Sequence, residues 1–330
     1  MTLRFKTNLL EHAKAVGAWA QRRGARTSIN AVDLALTLQF EQRDYKLFAQ
    51  FVGKRDGTQL CYFDMADQFA TGFVGWLPYK PQAWDISLSK LAFKAAARDL
   101  DIPTPAHWTQ AASVSAPFLV KRARGAFGYG MQGPFRASEA AQLVLAEGEY
   151  CEEFKWGHIA RAWYWSERLA VLELFEMPSV TGDGESSYEA LLRRASAEVP
   201  ADFAPIARLQ NVEPAAVPPA GQRIVCDYRY VSPFNPTRYG NHNVLPRLRG
   251  SALAQRFADA GARLWPRIPG PPGRQIGFVL DAIVDAQGQP WFLEVNSNPQ
   301  WHPDIYASML DGLCGLVSSQ AGQASQPVVQ

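Results

Sequence analysis

The chain has 330 residues, 47% of them apolar and 19% charged, with 33 Lys plus Arg against 31 Asp plus Glu and a formal net charge of +2. That balance removes any global electrostatic case for nucleic acid or a membrane surface as partner, and no run of about 18 apolar residues offers a membrane span. The length allows two or three subdomains around a large core. The four cysteines, Cys61, Cys151, Cys226 and Cys314, lie far apart without a CxxC pair, which argues against a zinc site or disulfide framework and fits a reducing cytoplasm.

The opening MTLRFKTNLLEHAKAVG lacks the apolar stretch and small-residue cleavage site of a secretory leader. Residues 8–23 read as an amphipathic helix ended near Gly24. INAVDLALTLQF, YKLFAQFVG and TQLCYFDM then read as strands. Residues 1–85 are thus expected to form a small α+β domain, with no chemical motif in it. Asp85 or Ser87 can cap a helix to about Asp99, with Leu88, Leu91, Ala92 and Ala95 on one face, stopped by IPTP. PFLVK is a strand, RARGAFGYGMQGP a glycine-rich segment, and Ser138 a cap for a helix through Leu145. EYCEEF, IARAWYW and RLAVLELFEM read as strands, PSVTGDGESS as a loop and YEALLRRASAE as a helix. A proline-rich surface connection follows around residues 214–219, then a helix over ALAQRFADAGARLW. The polar C-terminal residues 319–330 have the composition of a disordered tail. Strands and helices mix without strict βα alternation, which predicts antiparallel-rich α+β modules over a doubly wound sheet.

The segment GFVLDAIVDAQGQPWFLEVNSNP carries the chemistry. It reads as a β-hairpin with its turn centred between Gln287 and Gly288, a register that sets Asp281 opposite Glu294 and puts Asn296 on the face of Glu294. Acidic residues on a strand ordinarily form a solvated face. Here two carboxylates and an amide converge, like charges opposed across a ladder repel, and hard oxygen donors of this kind suit Mg²⁺. A second candidate is Lys121, at the end of PFLVK and followed by Gly125, Gly128, Gly130 and Gly133, a plausible phosphate clamp. Gly128 to Gly133 also matches GxGxxG. That dinucleotide fingerprint needs a helix N-terminus at the glycines, and Gly133-Pro134 intervenes before any cap, so the reading is rejected. No Gly-Lys-Ser/Thr closes the segment as a P-loop.

The order Lys90, Lys121 with its glycine loop, Glu152-Glu153-Phe154-Lys155, then Asp281…Glu294-Val-Asn296 resembles the ATP-grasp ligases over residues 86–315. Within them, the stretch from Gly157 to Leu192, with its GDG loop at residues 182–184 followed by a helix, looks most like the ATP-grasp module of cyanophycin synthetases, with RimK-type glutamate ligases close behind. The resemblance implies an ATP-grasp fold, two α+β subdomains clasping ATP over residues 86–318, with 116–155 as the glycine-loop subdomain and 1–85 as a small pre-ATP-grasp domain. It implies that Lys90 and Lys121 meet phosphates, that Phe127, Gly128 and Tyr129 form the tip of a loop over the triphosphate, and that Glu152, Glu153, Phe154 and Lys155 are the adenine hinge. It implies Asp281, Glu294 and Asn296 as ligands of Mg²⁺, or of Mn²⁺ in its place. It implies that Arg238, with Asn241 and Asn243 nearby, stabilises charge on the acyl phosphate, and Arg161, on the strand face shared with Trp163 and Trp165, falls on another family-type arginine that would be catalytic. Several positions depart from the family pattern. Ile159 stands where an acid holds ribose, Ser89 replaces the Asp before Lys90, a glycine pair is missing after Arg238, and Gln300 stands where Gly follows the Asn-Pro.

The function implied is an ATP-dependent ligase that activates a carboxylate as an acyl phosphate and joins it to an amine of an amino acid, peptide or small metabolite. A kinase phosphorylating a hydroxyl and a nucleotide-binding regulator without turnover are the alternatives. Homo-oligomers are common in the family.

Overall fold

The computed structural model describes residues 3–54, 60–66, 69–125, 128, 130–196, 199, 203–230, 232, 234, 242–271 and 273–316. Helix α1 (Leu3–Arg23) is followed by five antiparallel strands, β1 (Arg26–Ile29), β2 (Leu36–Phe40), β3 (Arg43–Lys54), β4 (Leu60–Phe63) and β5 (Ala70–Leu77). Two helices come next, α2 (Asp85–Leu88) and α3 (Lys90–Asp99). The sheet β6-β9-β7-β8 is built from β6 (His107–Trp108), β7 (Phe118–Arg122), β8 (Gln132–Phe135) and β9 (Glu149–Glu153). Then come β10 (His158–Trp165), β11 (Arg168–Glu176), β12 (Ser179–Thr181), α4 (Tyr188–Ala195), α5 (Ala204–Leu209) and β13 (Arg223–Val225). The chain continues through α6 (Leu245–Leu248), α7 (Ala252–Leu264), β14 (Gly277–Val284), β15 (Pro290–Asn296) and α8 (Ile305–Leu313). The protein is mixed α+β, and its described strand pairs are antiparallel, as the lack of βα alternation predicted.

The central sheet, in order β11-β10-β14-β15, positions everything else. Its two faces part by the period of two. Ala160, Ala162, Tyr164, Phe278, Leu280 and Ala282 pack with Phe93 of α3 and Phe257 of α7. On the other face Trp163, Trp165 and Val279 join a core shared with Trp19, Phe51, Phe73 and Trp76 of the N-terminal sheet and Leu310 of α8. The N-terminal sheet is therefore not packed around a core of its own. Its tie is Trp301, 2% exposed, whose backbone N–H donates to Val74 O at 3.0 Å. Its ring fills the space over two glycines: a Cβ at Gly277 would lie 2.1 Å from it, and one at Gly75, where φ is +149, would lie 2.8 Å away.

Several expectations change. The helix expected from Asp85 to Asp99 is broken at Ser89, which caps α3 by accepting from Ala92 N at 3.3 Å. Ser caps as Asp would, so the departure at Ser89 leaves the helix start intact. The buried face of α3 is Phe93, Lys94, Ala96 and Ala97, while Leu88 is 46% exposed. A lysine with a buried partner outcompeted the apolar stripe. No α-helix runs from Ser138 to Leu145; Ala137–Gln142 is a 3₁₀ helix. The glycine segment runs into β8 rather than a helix, in keeping with the rejected dinucleotide reading. Strands β5, β6 and β13 and helices α5, α6 and α8 have no counterpart among the sequence expectations, and β12 (Ser179–Thr181) lies within PSVTGDGESS, expected as a loop. Residues 319–330 lie outside the described residues.

Trp301→Ala should destabilise the protein by about 3–5 kcal/mol. Because the core is shared, circular dichroism and tryptophan fluorescence should follow one coincident unfolding transition. Two separated transitions would show that the N-terminal sheet folds independently.

Candidate functional site

The hairpin β14–β15 turns through a loop in which Gly288 N donates to Asp285 O (2.9 Å) and Asp285 N to Gln289 O (3.0 Å), with Gly288 at φ +72. This is a three-residue loop closed by a left-handed residue. It centres the turn on Gln287, half a residue earlier than expected, so Val284 faces Pro290 and Ile283 faces Trp291. A bulge at Leu293 then inserts one residue, and beyond it Asp281 faces Glu294 and Val279 faces Asn296. The predicted pair forms because the two offsets cancel. The bulge also places the consecutive residues Leu293 and Glu294 on one cavity wall.

Asp281 sits between Glu294 on β15 and a counter-charge on β10. Across the β10–β14 ladder it faces Arg161. Arg161 grips it in a fork, Nε to Oδ1 at 2.6 Å and Nη2 to Oδ2 at 3.2 Å, and Asn296 Nδ2 donates to Oδ2 at 2.9 Å. The guanidinium lies 3.8 Å over the Tyr230 ring. Glu294 has its own cation: Lys90 Nζ lies 3.0 Å from Oε2 and donates to Gly125 O at 2.8 Å. All four charged side chains keep partial access, 16–27% exposed. Two opposed carboxylates are each balanced by one basic side chain, which removes the repulsion that the register would impose.

These groups line a cavity of about 530 Å³, the size of a small-molecule site. One end is apolar, with Leu119, Met131, Phe154, Ile159, Met177 and Ile283. The other holds Lys90, Lys121, Arg161, Asp281, Glu294 and Asn296. Of its described lining residues six are basic and four acidic, an excess that favours an anion. Ile159 and Ile283 face each other directly across the β10–β14 ladder, both within the apolar floor. Ile159 is thus part of a hydrophobic surface.

Behind the cavity wall lies a buried charged cluster. Glu152, 1% exposed, is bonded through Oε1 to Lys121 and through Oε2 to Lys94 at 2.7 Å and the Tyr150 hydroxyl at 3.1 Å. Burial would raise the Glu152 pKa, but Lys121 and Lys94 outweigh it and hold the carboxyl at about 2. Both of its oxygens are engaged by protein donors. Next to it, Lys155 pairs with Glu153 at 2.6 Å and lies 3.9 Å over the Trp291 ring.

Of the sequence-derived candidates, Lys90, Lys121, Gly128, Glu152, Glu153, Phe154, Lys155, Arg161, Asp281, Glu294 and Asn296 border this one cavity. Phe127, Tyr129, Arg238 and Asn241 lie outside the described residues. Asn243 is on the far side of β11, where its side chain bonds Leu172 N (3.3 Å) and Asp304 (2.8 Å). The sequence reading missed Tyr62, which reaches the cavity from β4 of the N-terminal sheet, and whose hydroxyl burial pushes up to about 12 while Arg161 pulls it down. It also missed Arg122, Tyr230 and the buried Lys94. The only signal for Lys94 was its spacing of four from Lys90, which puts both on one helix face.

The donor set available to a divalent cation is Asp281, Glu294 and Asn296, with both Asp281 oxygens held by Arg161 and Asn296 and Glu294 Oε2 held by Lys90. Among the described residues no three His, Cys, Asp or Glu side chains gather as a metal site. The candidates are two carboxylates and a carboxamide, within what a hard cation takes from protein when a phosphate completes its shell.

No family model and no curated protein sequence matches the chain. Among solved structures it is similar to a bifunctional glutathione synthetase from Pasteurella multocida, at 12% identity and TM-score 0.44, over 93% of this chain and 43% of that one. It is similar to the VanG D-Ala:D-Ser ligase from Enterococcus faecalis, at 14% identity and TM-score 0.40, over 70% of this chain and 62% of that one. It is also similar to an L-amino acid ligase from Bacillus licheniformis, at 12% identity and TM-score 0.33, over 68% of this chain and 43% of that one. The chain spans less than two thirds of the length of each of the three.

The depressed Glu152 pKa makes a pH prediction. The folded value lies below the ordinary 4.5, so the stabilisation is complete above 4.5 and lost as pH falls towards about 2. On the order of 3 kcal/mol should disappear across that window. Urea unfolding at stepped pH should show this loss in the wild type and a shallower one in Glu152→Gln.

Proposed function

We propose that this protein is an ATP-dependent carboxylate–amine ligase of the ATP-grasp type. The observation that carries the reading is that eleven candidate residues from eight separate places in the chain, between Lys90 and Asn296, border one cavity with an apolar end and a charged end. An adenine nucleotide has that polarity, a flat apolar base joined to a polyanion. The further placement beside cyanophycin synthetases and RimK-type ligases rests on the sequence motifs. Loop residues 182–184, which carry the GDG motif, fall between β12 and α4.

In this reading Leu119, Met131, Phe154, Met177 and Ile283 take the base, and Lys90 and Lys121 face phosphate oxygens. A divalent cation held by Asp281, Glu294 and Asn296 would supply neutralisation of triphosphate charge. The carboxylate oxygen of one substrate attacks the γ-phosphorus, the bond to the bridging oxygen breaks, and ADP leaves. The product is an acyl phosphate. The amine of the second substrate then adds to the carbonyl carbon, the carbon–oxygen bond to phosphate breaks, and the amine proton leaves with phosphate. The protein's task is to orient the reactants and offset charge. Arg161 and Tyr62, beside Asp281, stand at the charged end where the acceptor carboxylate belongs, and a guanidinium suits a carboxylate or acyl phosphate there. The substrates are an amino acid or peptide carboxylate and an amine.

ADP release, measured by a coupled assay over pairs of amino acids, should require both a carboxylate and an amine. Release with a hydroxyl acceptor and no amide product would make the protein a kinase, and nucleotide binding without release would make it a regulator. Glu294→Gln, which removes one donor charge, should lower turnover at least about a hundredfold. Near-normal turnover in that variant would refute the role of the hairpin.

A further inference from the structure

Lys94 has no part in the reading above. It lies one helical turn after Lys90, so both lysines leave the same face of α3. Its side chain is 0% exposed, and its Nζ reaches Glu152 Oε2 at 2.7 Å and Pro105 O at 3.4 Å. A buried ammonium is expensive unless it is paired. Yet the partner is shared, because Glu152 also holds Lys121. The cluster therefore contains two ammonium groups and one carboxylate. Glu153, a further carboxylate whose field Lys94 feels, is paired with Lys155. The Tyr150 hydroxyl adds a hydrogen bond and no charge.

Among the described residues this buried group carries one more positive charge than its carboxylate balances. Of the two lysines only Lys121 borders the cavity. Charge that cannot be compensated inside the wall is available to an anion in front of it, where the local dielectric is low and the attraction correspondingly strong.

We propose that Lys94 is a positioning residue for phosphate binding: it neutralises Glu152 from behind, so that the charge of Lys121 is left for an anion in the cavity. This rests on the nucleotide reading of the same site. Glu152 then acts as the carboxylate that joins two lysines and aims one of them. A merely structural Lys94, holding α3 against β9, would behave differently. In that case every change in the cluster weakens binding, whatever its charge.

The charge of the cluster separates the two. Lys94→Met leaves it neutral, Glu152→Gln leaves two positive charges, and the double variant restores a single one. Calorimetric titration of the full chain with inorganic tripolyphosphate, and with ATP plus Mg²⁺, reads the result, with circular dichroism to verify folding. Lys94→Met should weaken both ligands roughly tenfold and reduce the salt dependence of binding. Glu152→Gln alone should not weaken tripolyphosphate, and the double variant should return towards the wild-type value. In turnover, Lys94→Met should raise the KM for ATP more than it lowers kcat. Should Lys94→Met alone fail to fold, adding it to Glu152→Gln should still weaken the anion relative to Glu152→Gln.

Equal binding by wild type and Lys94→Met, or a double variant no tighter than Lys94→Met, would overturn the proposal while leaving the nucleotide reading intact. A wild-type protein that binds tripolyphosphate but no ATP would overturn the nucleotide reading alone. One that binds neither would overturn both.

Discussion

The pairing of Arg161 with Asp281 across the β10–β14 ladder is the contact on which the site depends. A strand register is a discrete quantity, and a slip of one residue would turn both side chains to the opposite face. In the register observed, the same face carries Ile159 and Ile283 at one end, Arg161 and Asp281 in the middle, and Trp163 and Val279 at the other. One sheet face thus passes from the apolar floor of the cavity, through its charged centre, to the core shared with the N-terminal sheet. The guanidinium makes this tolerable, because an unpaired Asp281 opposite Glu294 would place two like charges side by side.

Helix α3 extends this arrangement to the second sheet. Lys90 reaches Glu294 on the central sheet, and Lys94 reaches Glu152 on the glycine-loop sheet. The two lysines span both walls of the cavity from one short helix, while Phe93 and Ala97 anchor it in the apolar layer. The turn after Asn296 adds a further tie, since Ser297 Oγ donates to Gln82 O at 2.8 Å and Asn298 Oδ1 accepts from Gln82 N at 2.7 Å. The segment leading into α2 and α3 is thereby fastened to the end of the hairpin. The N-terminal sheet contributes through Tyr62 and the Trp301 seat, so it forms part of the wall.

Much of this was readable in the chain because it is local. Asp281, Glu294 and Asn296 lie within one hairpin, and the alternation of apolar and polar residues assigns their face without knowledge of the rest. Even there, the turn centre was misplaced and the bulge at Leu293 unseen, and the paired residues were found because the errors offset each other. The apolar stripe assigned to α3 failed for a different reason. Composition ranks lysine as an exposed residue, and only a buried carboxylate supplied by a distant strand makes Lys94 a core residue. Ser89 as a cap and the strand after the glycine loop follow from short-range hydrogen bonding and from chain direction, and both are consistent with the residues present.

The sequence by itself determined the α+β character, the hairpin that carries Asp281 and Glu294, and the basic and glycine-rich segments available to meet an anion, because periodicity and turn chemistry act over a few residues. Tertiary structure alone decided that Arg161 neutralises Asp281, that Lys94 and Lys121 share Glu152, that Tyr62 closes the charged end, and that the N-terminal sheet shares a core with α8. Each of those contacts joins residues 31 or more positions apart, apart from the four-residue step that puts Lys94 beside Lys90. Their energies depend on burial and on the packing of whole sheets, and neither is encoded in any local window of the chain.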